Sequence, residues 1–135
     1  YIGTTTAPWR IMDTVFDSQA FGRKINELLV LQELARAPLH GYQIGLAIED
    51  RSGGYFQYGH GTLYPILHRL EKEGLVSGRW SDPGRGRPRK EYTLTEAGRA
   101  YLARLRGEWR ELRLRLESFL DEGGRTNGEV QAGVA

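Results

Sequence analysis

Hydrophobic positions along this chain fall into separate blocks, and their spacing changes from block to block. Over residues 23 to 36, Ile25, Leu28, Leu29, Val30, Leu31 and Leu34 leave almost no polar face. That predicts a first helix buried nearly all round and stopping before Pro38, whose ring disfavours helical backbone in the residue ahead of it. From about Gly41 to Arg51, Ile44, Ala47 and Ile48 mark the inner stripe of a short second helix, after which Gly53, Gly54 and Gly59 turn the chain. In GTLYPILHRLEKEGLV, from Gly61 to Val76, the residues Leu63, Ile66, Leu67 and Leu70 form one stripe of a third helix. Thr62 is placed to cap that helix. Pro65 suits a first turn, where a missing N–H costs nothing, and Gly74 supplies a left-handed stop. Leu75 to Trp80 and Arg89 to Leu94 are then short strand-like runs around the tip SDPGRGRP.

Helix, short helix, turn, helix and hairpin together predict a winged helix-turn-helix, mainly α with a small β-hairpin wing. A long C-terminal helix follows. From Thr95, a residue type that caps helices well, Leu102, Leu105, Trp109, Leu112, Leu116 and Phe119 step alternately by three and four, the a/d seam of paired helices. A domain this small has little to cover such a stripe. A second copy is the expected cover, the alternative being packing against the chain's own first helix. Arg104, Arg106, Arg110, Glu111, Arg113 and Glu117 flank the seam, either as a solvated face or as interhelix pairs. The expected organisation is an N-terminal extension over 1–21, disordered in part, a winged-helix domain over 22–94, a dimerisation helix over 95–121 and a disordered Gly-rich tail over 122–135.

The chemistry lies on the faces the core does not need. At about 100° per residue, Tyr64, Pro65, His68, Arg69 and Lys72 gather on the side of the third helix away from the leucines, where a recognition helix would meet a DNA groove. The Arg85-Gly86-Arg87-Pro88 tip has the core of an AT-hook-like sequence, whose Gly and Pro let extended backbone lie low while arginines enter a narrow, strongly negative minor groove. The plainer reading is a basic tip touching phosphates only, and either version binds DNA. Arg79, Arg89 and Lys90 add charge beside it, of a kind that gives salt-dependent affinity largely blind to sequence.

Composition narrows the classes. With 135 residues and 39% hydrophobic content, the chain supports one small domain without a separate sensor domain, so any sensing shares the dimer core. Nineteen Lys and Arg against 17 Asp and Glu leave a net +2, so positive charge is local rather than general. The absence of cysteine excludes disulfides and Cys-ligated zinc. No apolar run approaches a membrane span and no signal peptide is evident, so the expected compartment is the cytoplasm and no membrane partner is expected. The chain begins at Tyr1, without an initiator Met. His40, His60 and His68 stand at no spacing that presents two metal ligands on one helical face or serves a nucleophile, so neither an enzyme nor a cofactor is expected. A winged helix used only as a protein-interaction module, without sequence-specific DNA binding, would show an uncharged wing and an apolar recognition face, and this chain shows neither.

HGYQI at His40 to Ile44, GTLYPILHRLEKEGLV, GRPRKEYTLTEAG and the terminal helix together resemble the PadR-like transcriptional regulators, over roughly residues 22 to 121. The resemblance implies a winged-helix homodimer that binds a double-stranded operator, usually as a repressor, and is released when small aromatic or drug-like molecules are sensed. It places Thr62, Tyr64 and Pro65 at the DNA face and Arg85, Arg87 and Lys90 on the wing. The single C-terminal helix matches the short branch of the family, in which the terminal helix often lines a ligand pocket. Trp109, in the middle of the seam, is either seam packing or one wall of a slot for a flat aromatic effector. The residues preceding the first helix depart from the family pattern, and neither operator nor effector transfers from it.

Overall fold

The computed structural model describes residues 18–81, 84 and 86–121. Helix α1 spans Ser18–Arg36 and ends where Ala37 precedes Pro38. Strand β1, Leu39–His40, leads into helix α2, Gly41–Arg51, and after a Gly-rich loop into helix α3, His60–Lys72. Strands β2, Val76–Trp80, and β3, Lys90–Leu94, form the wing hairpin, and helix α4 covers Glu96–Leu120. The mainly helical winged helix-turn-helix with a long C-terminal helix is thus present. Of the expected extension over 1–21, residues 1–17 lie outside the described residues, as do the tail over 122–135 and Arg85. Residues 18–21 instead form the first turn of α1, which starts earlier than the apolar spacing predicts.

The chain divides into two units, one running to Arg99 and one from Ala100. In the first, the core is made where the inner stripes meet. Val30, Leu31 and Leu34 of α1, Ile44 and Ile48 of α2, Leu63, Ile66, Leu67 and Leu70 of α3, and Val76, Tyr92 and Leu94 of the sheet are all buried. Each fully buried aliphatic side chain contributes about 1.5–3 kcal/mol, so this shared stripe holds the recognition helix in place. The sheet has the order β1-β3-β2, antiparallel throughout, with Val76 opposite Leu94 and Trp80 opposite Lys90. The hairpin was expected; β1 was not. Its two residues are too few to show any periodicity, yet Leu39 pairs with Tyr92 and His40 with Glu91, anchoring the wing beside α2.

Two details of the helices differ from expectation. Helix α1 is not apolar all round, because Glu27 and Glu33 are buried in it at 7% and 5% exposure while Ile25, Leu28 and Leu29 are only half-buried. The Glu33 carboxylate accepts from Arg51 of α2 at 2.6 Å, and Glu27 accepts from Arg69 of α3 at 3.0 Å. A buried carboxylate is tolerated where a guanidinium meets it, and these two fasten both helices of the motif to the scaffold helix.

Helix α3 also starts earlier than expected. Gly59 is extended, and its carbonyl accepts from Thr62 at 3.1 Å and Leu63 at 3.0 Å, so Thr62 lies inside the first turn and does not cap it. Pro65 consequently sits in the second turn, where it removes the bond that would have reached the Gly61 carbonyl. The far end follows expectation. Gly74 has φ 78°, its N–H donates to Glu71 at 3.0 Å, and Leu75 N–H donates to Leu70 at 2.9 Å, the paired bonds of a Schellman stop.

Thr95 caps α4 as its sequence position suggests. Its hydroxyl oxygen accepts from Gly98 N–H at 2.9 Å and donates to the carbonyls of Gly74 and Leu75 at 2.8 and 3.0 Å. In the second unit the helix continues to Leu120, with Arg104 over the Tyr101 ring and Arg115 paired to Glu111 at 2.7 Å. Along the seam, Leu102 and Leu105 are already buried in the single chain and Trp109 is half-buried. Leu112 and Leu116 are exposed, and Phe119 reaches 84%. Among the described residues no helix is long and apolar enough to cross a membrane.

Candidate nucleic-acid interface

The open face of α3 and the inner side of the wing enclose a cleft of about 1290 Å³. Tyr64, Pro65 and His68 line it from α3, since they lie opposite the buried stripe of Leu63, Ile66, Leu67 and Leu70. His40, Gly41 and Tyr42 border it from the start of α2, where His40 is the extended N-cap and Gln43 accepts from its backbone N–H at 2.9 Å. The wing supplies Trp80, Ser81, Arg87, Pro88, Arg89 and Lys90, with buried Tyr92 beneath. Among the described residues the lining thus holds three Lys and Arg side chains, several aromatic rings and no carboxylate. That combination suits a polyanion with flat bases.

Local geometry sets the position of each wall. Strand alternation sends Val76, Gly78 and Trp80 to one face of β2 and Ser77 and Arg79 to the other, so Trp80 joins the cleft, 63% exposed, while Arg79 turns away and stands opposite Glu91. Beyond the strands, Ser81 N–H donates to Arg89 O at 2.7 Å and Arg89 N–H donates to Ser81 Oγ at 2.9 Å. These bonds carry the hairpin outward and hold Arg89 at its mouth, and Gly86, at φ 88°, makes the turn before Arg87. Gly41 matters through its missing side chain. A Cβ there would stand 2.6 Å from Tyr64 Cε1 and 2.9 Å from its hydroxyl oxygen, so the glycine lets the Tyr64 ring lie against the start of α2.

One ion pair crosses from α3 to the wing. Lys90 Nζ donates to Glu71 Oε1 at 2.8 Å and lies 5.6 Å from the ring centres of both Trp80 and Tyr92. The hydrogen bond from Lys90, with help from its charge and from the Gly78 amide, holds the Glu71 carboxyl below its ordinary range, and the same bond raises Lys90. Burial raises the Tyr92 phenol. Behind the cleft, Tyr58 donates to Asn26 Oδ1 at 2.5 Å, fastening the loop before α3 to α1, and burial pushes its phenol up to about 12.

Of the DNA-facing residues expected from sequence, the structure brings together Tyr64, Pro65, His68, Arg87, Arg89 and Lys90. Thr62 and Lys72 are exposed on α3 but do not line the cleft, and Arg69 is turned to Glu27, 32% of its side chain exposed. Arg79 is on the far face of the hairpin, and Arg85 lies outside the described residues. Sequence reasoning missed Trp80, Tyr42 and His40. Alternation from buried Val76 would have found Trp80; the other two depend on where α2 begins relative to β1, which no periodicity reports.

The fold and the site define a winged-helix regulator of transcription that binds DNA. The model of the transcriptional regulator PadR-like family matches residues 30–104, and the chain belongs to that family. It is 36% identical over 92 residues to a transcriptional regulator of Mycobacterium tuberculosis, a match covering 68% of this chain and 82% of that protein. It is 29% identical over 79 residues to the negative transcriptional regulator PadR of Bacillus subtilis, covering 58% of this chain and 43% of the regulator's length. Among solved structures, a PadR family transcriptional regulator from Eggerthella lenta superposes with a TM-score of 0.65 at 28% identity, covering 83% of this chain and 97% of that one. The family consists of transcriptional regulators, not enzymes.

Proposed function

We propose that this protein is a repressor that binds an inverted-repeat operator as a homodimer, with Tyr64 and His68 reading bases and the wing holding the backbone. The observation that carries the reading is the cleft itself, which places the open face of α3 beside exposed Arg87 and Arg89, with no carboxylate among the described residues of its lining. The dimer is supported by the rising exposure of the seam, from buried Leu105 to Leu116 and Phe119, large apolar residues that a lone chain leaves in water. Two copies related by a two-fold axis read half-sites about 34–36 Å apart, one helical turn of duplex. Repression is supported by the negative regulator among the relatives. Release by a small flat aromatic molecule beside Trp109 completes the proposal, and half-burial of that ring on a seam helix supports it.

Sequencing the genomic fragments retained by the purified protein tests the reading in one measurement. Enrichment of a symmetric site near a promoter is the expected result. Recovery of fragments without common sequence would refute base reading, and a concentration-independent monomer mass in light scattering at micromolar protein would refute the dimer.

A further inference from the structure

Lys90 borders the DNA-facing cleft, yet its ammonium is already held. Glu71 takes it at 2.8 Å, and the ring centres of Trp80 and Tyr92 are each 5.6 Å away. The two side chains of the pair are only 25% and 29% exposed. Gly78, on the strand between them, is shaped to let the pair cross. A Cβ at that position would collide with Lys90 Cε and stand 3.0 Å from Glu71 Oε2. The link therefore runs from the last turn of α3, over β2, to the first residue of β3.

We propose that Lys90 is a positioning residue rather than a phosphate contact: with Glu71 it forms a strut that fixes the wing relative to the recognition helix and so sets operator specificity. The proposal rests on the DNA-binding reading above. A phosphate offers Lys90 the same kind of charge-assisted bond that Glu71 already supplies, and taking it would give up two ring faces as well. The exposed Arg87 and Arg89 carry no such commitment to the fold and are placed to meet phosphates. Strand β1 pairs with β3 only at Tyr92 and Glu91, and the hairpin beyond it is too weak on its own to hold an angle. A tie at Lys90, the last rung of the ladder before the tip, therefore decides whether wing and helix engage one duplex together. Base contacts demand that alignment, whereas phosphate contacts, repeated along the duplex, tolerate its loss.

The test compares the full chain with Glu71→Gln, Lys90→Gln and the double variant. Each is titrated against an operator fragment selected by the wild-type protein and against a random duplex of equal length, over a range of salt. Each single variant and the double should lose about ten-fold in operator affinity, the scale of a mismatched base pair, with the random duplex and the salt slope unchanged. If Lys90 instead holds a phosphate, Lys90→Gln weakens both DNAs and lowers the salt slope by about 0.9, while Glu71→Gln strengthens both; that pattern overturns the proposal. A double variant that loses far more than either single also overturns it. Should a charge variant fail to fold, Gly78→Ala reads the same quantity, since it keeps both charges and drives the pair apart. Intact specificity in Gly78→Ala refutes the strut. A wild-type protein that cannot tell its selected fragment from random DNA refutes base reading itself, a separate failure that takes the strut with it.

Discussion

Replacing Gly98 by alanine puts a methyl where the first turn of α4 meets the turn that closes α3. The new carbon would overlap the Leu75 carbonyl oxygen and stand 3.1 Å from the carbonyl carbon and 2.7 Å from Leu94 Cδ1. Leu94 can rotate, but the Leu75 backbone is committed on both sides. Its N–H donates to Leu70 at 2.9 Å, and its carbonyl accepts from the Thr95 N–H at 3.1 Å and hydroxyl at 3.0 Å. The start of α4 must therefore shift and loosen the Thr95 cap. Overpacking costs about 1–3 kcal/mol and a lost N-cap about 1, against a helix-propensity gain of about 1 for Ala over Gly. The net loss is about 1–3 kcal/mol, which in a domain of this size lowers the melting midpoint by roughly 5–20 °C. Gly107, in the same helix, has nothing within 4 Å of its would-be Cβ and stands away from the seam. There the same substitution should stabilise by up to about 1 kcal/mol. Thermal unfolding followed by circular dichroism, all variants at one protein concentration because an oligomer's midpoint depends on it, reads both signs. Equal shifts in the same direction, or a Gly98→Ala protein as stable as wild type, would refute the reasoning.

Gly41→Ala should displace the Tyr64 ring, because the added Cβ would fall 2.6 Å from Tyr64 Cε1; operator affinity should fall several-fold with stability almost unchanged, and equal loss on random DNA would show that Tyr64 does not read bases. The Glu71–Lys90 pair should also be visible in the pH dependence of stability. Glu71 is lowered in the folded chain, so its contribution is full above the ordinary carboxylate pKa and lost as pH falls through the folded value; Lys90 is raised, so the same interaction is lost again as pH rises through its folded value in the alkaline range. Urea unfolding should therefore show wild type ahead of Glu71→Gln by about 1–2 kcal/mol at pH 7, with the gap narrowing as pH falls below the ordinary carboxylate range, and a gap that ignores pH would mean the difference is packing.

Much of this architecture is legible in the chain because apolar periodicity is strong where an element has one clear face to bury. Leu63, Ile66, Leu67 and Leu70 gave away the recognition helix, and Gly74 its end, since only a residue tolerant of positive φ fits the Schellman turn. The helix start was misread because Thr62 is a good cap by residue type, whereas capping depends on backbone angles that Gly59 supplies without any side chain. Strand β1 escaped for a related reason: two residues in a ladder are specified by their partner, and Tyr92 and Glu91 lie far along the chain. The apolar reading of α1 overlooked Glu27 and Glu33 because a helical stripe counts hydrophobes and says nothing of guanidinium groups arriving from other helices.

That last oversight decides how far a charge count can be read as a binding surface. The formal charge of +2 leaves open where the cations act. Glu27, Glu33 and Glu71 engage Arg69, Arg51 and Lys90 within the fold, so these cations, two of them assigned to the DNA face from sequence, serve first to join helices α2 and α3 and the wing into one body. Arg87 and Arg89 remain exposed at the cleft. Because each phosphate contact contributes about 0.9 to the salt slope, cations committed to internal ties such as these make DNA binding less steep than a count of lysines and arginines implies. On the function proposed above, discrimination would rest on how rigidly those ties hold Tyr64, His68 and the wing in register with the duplex.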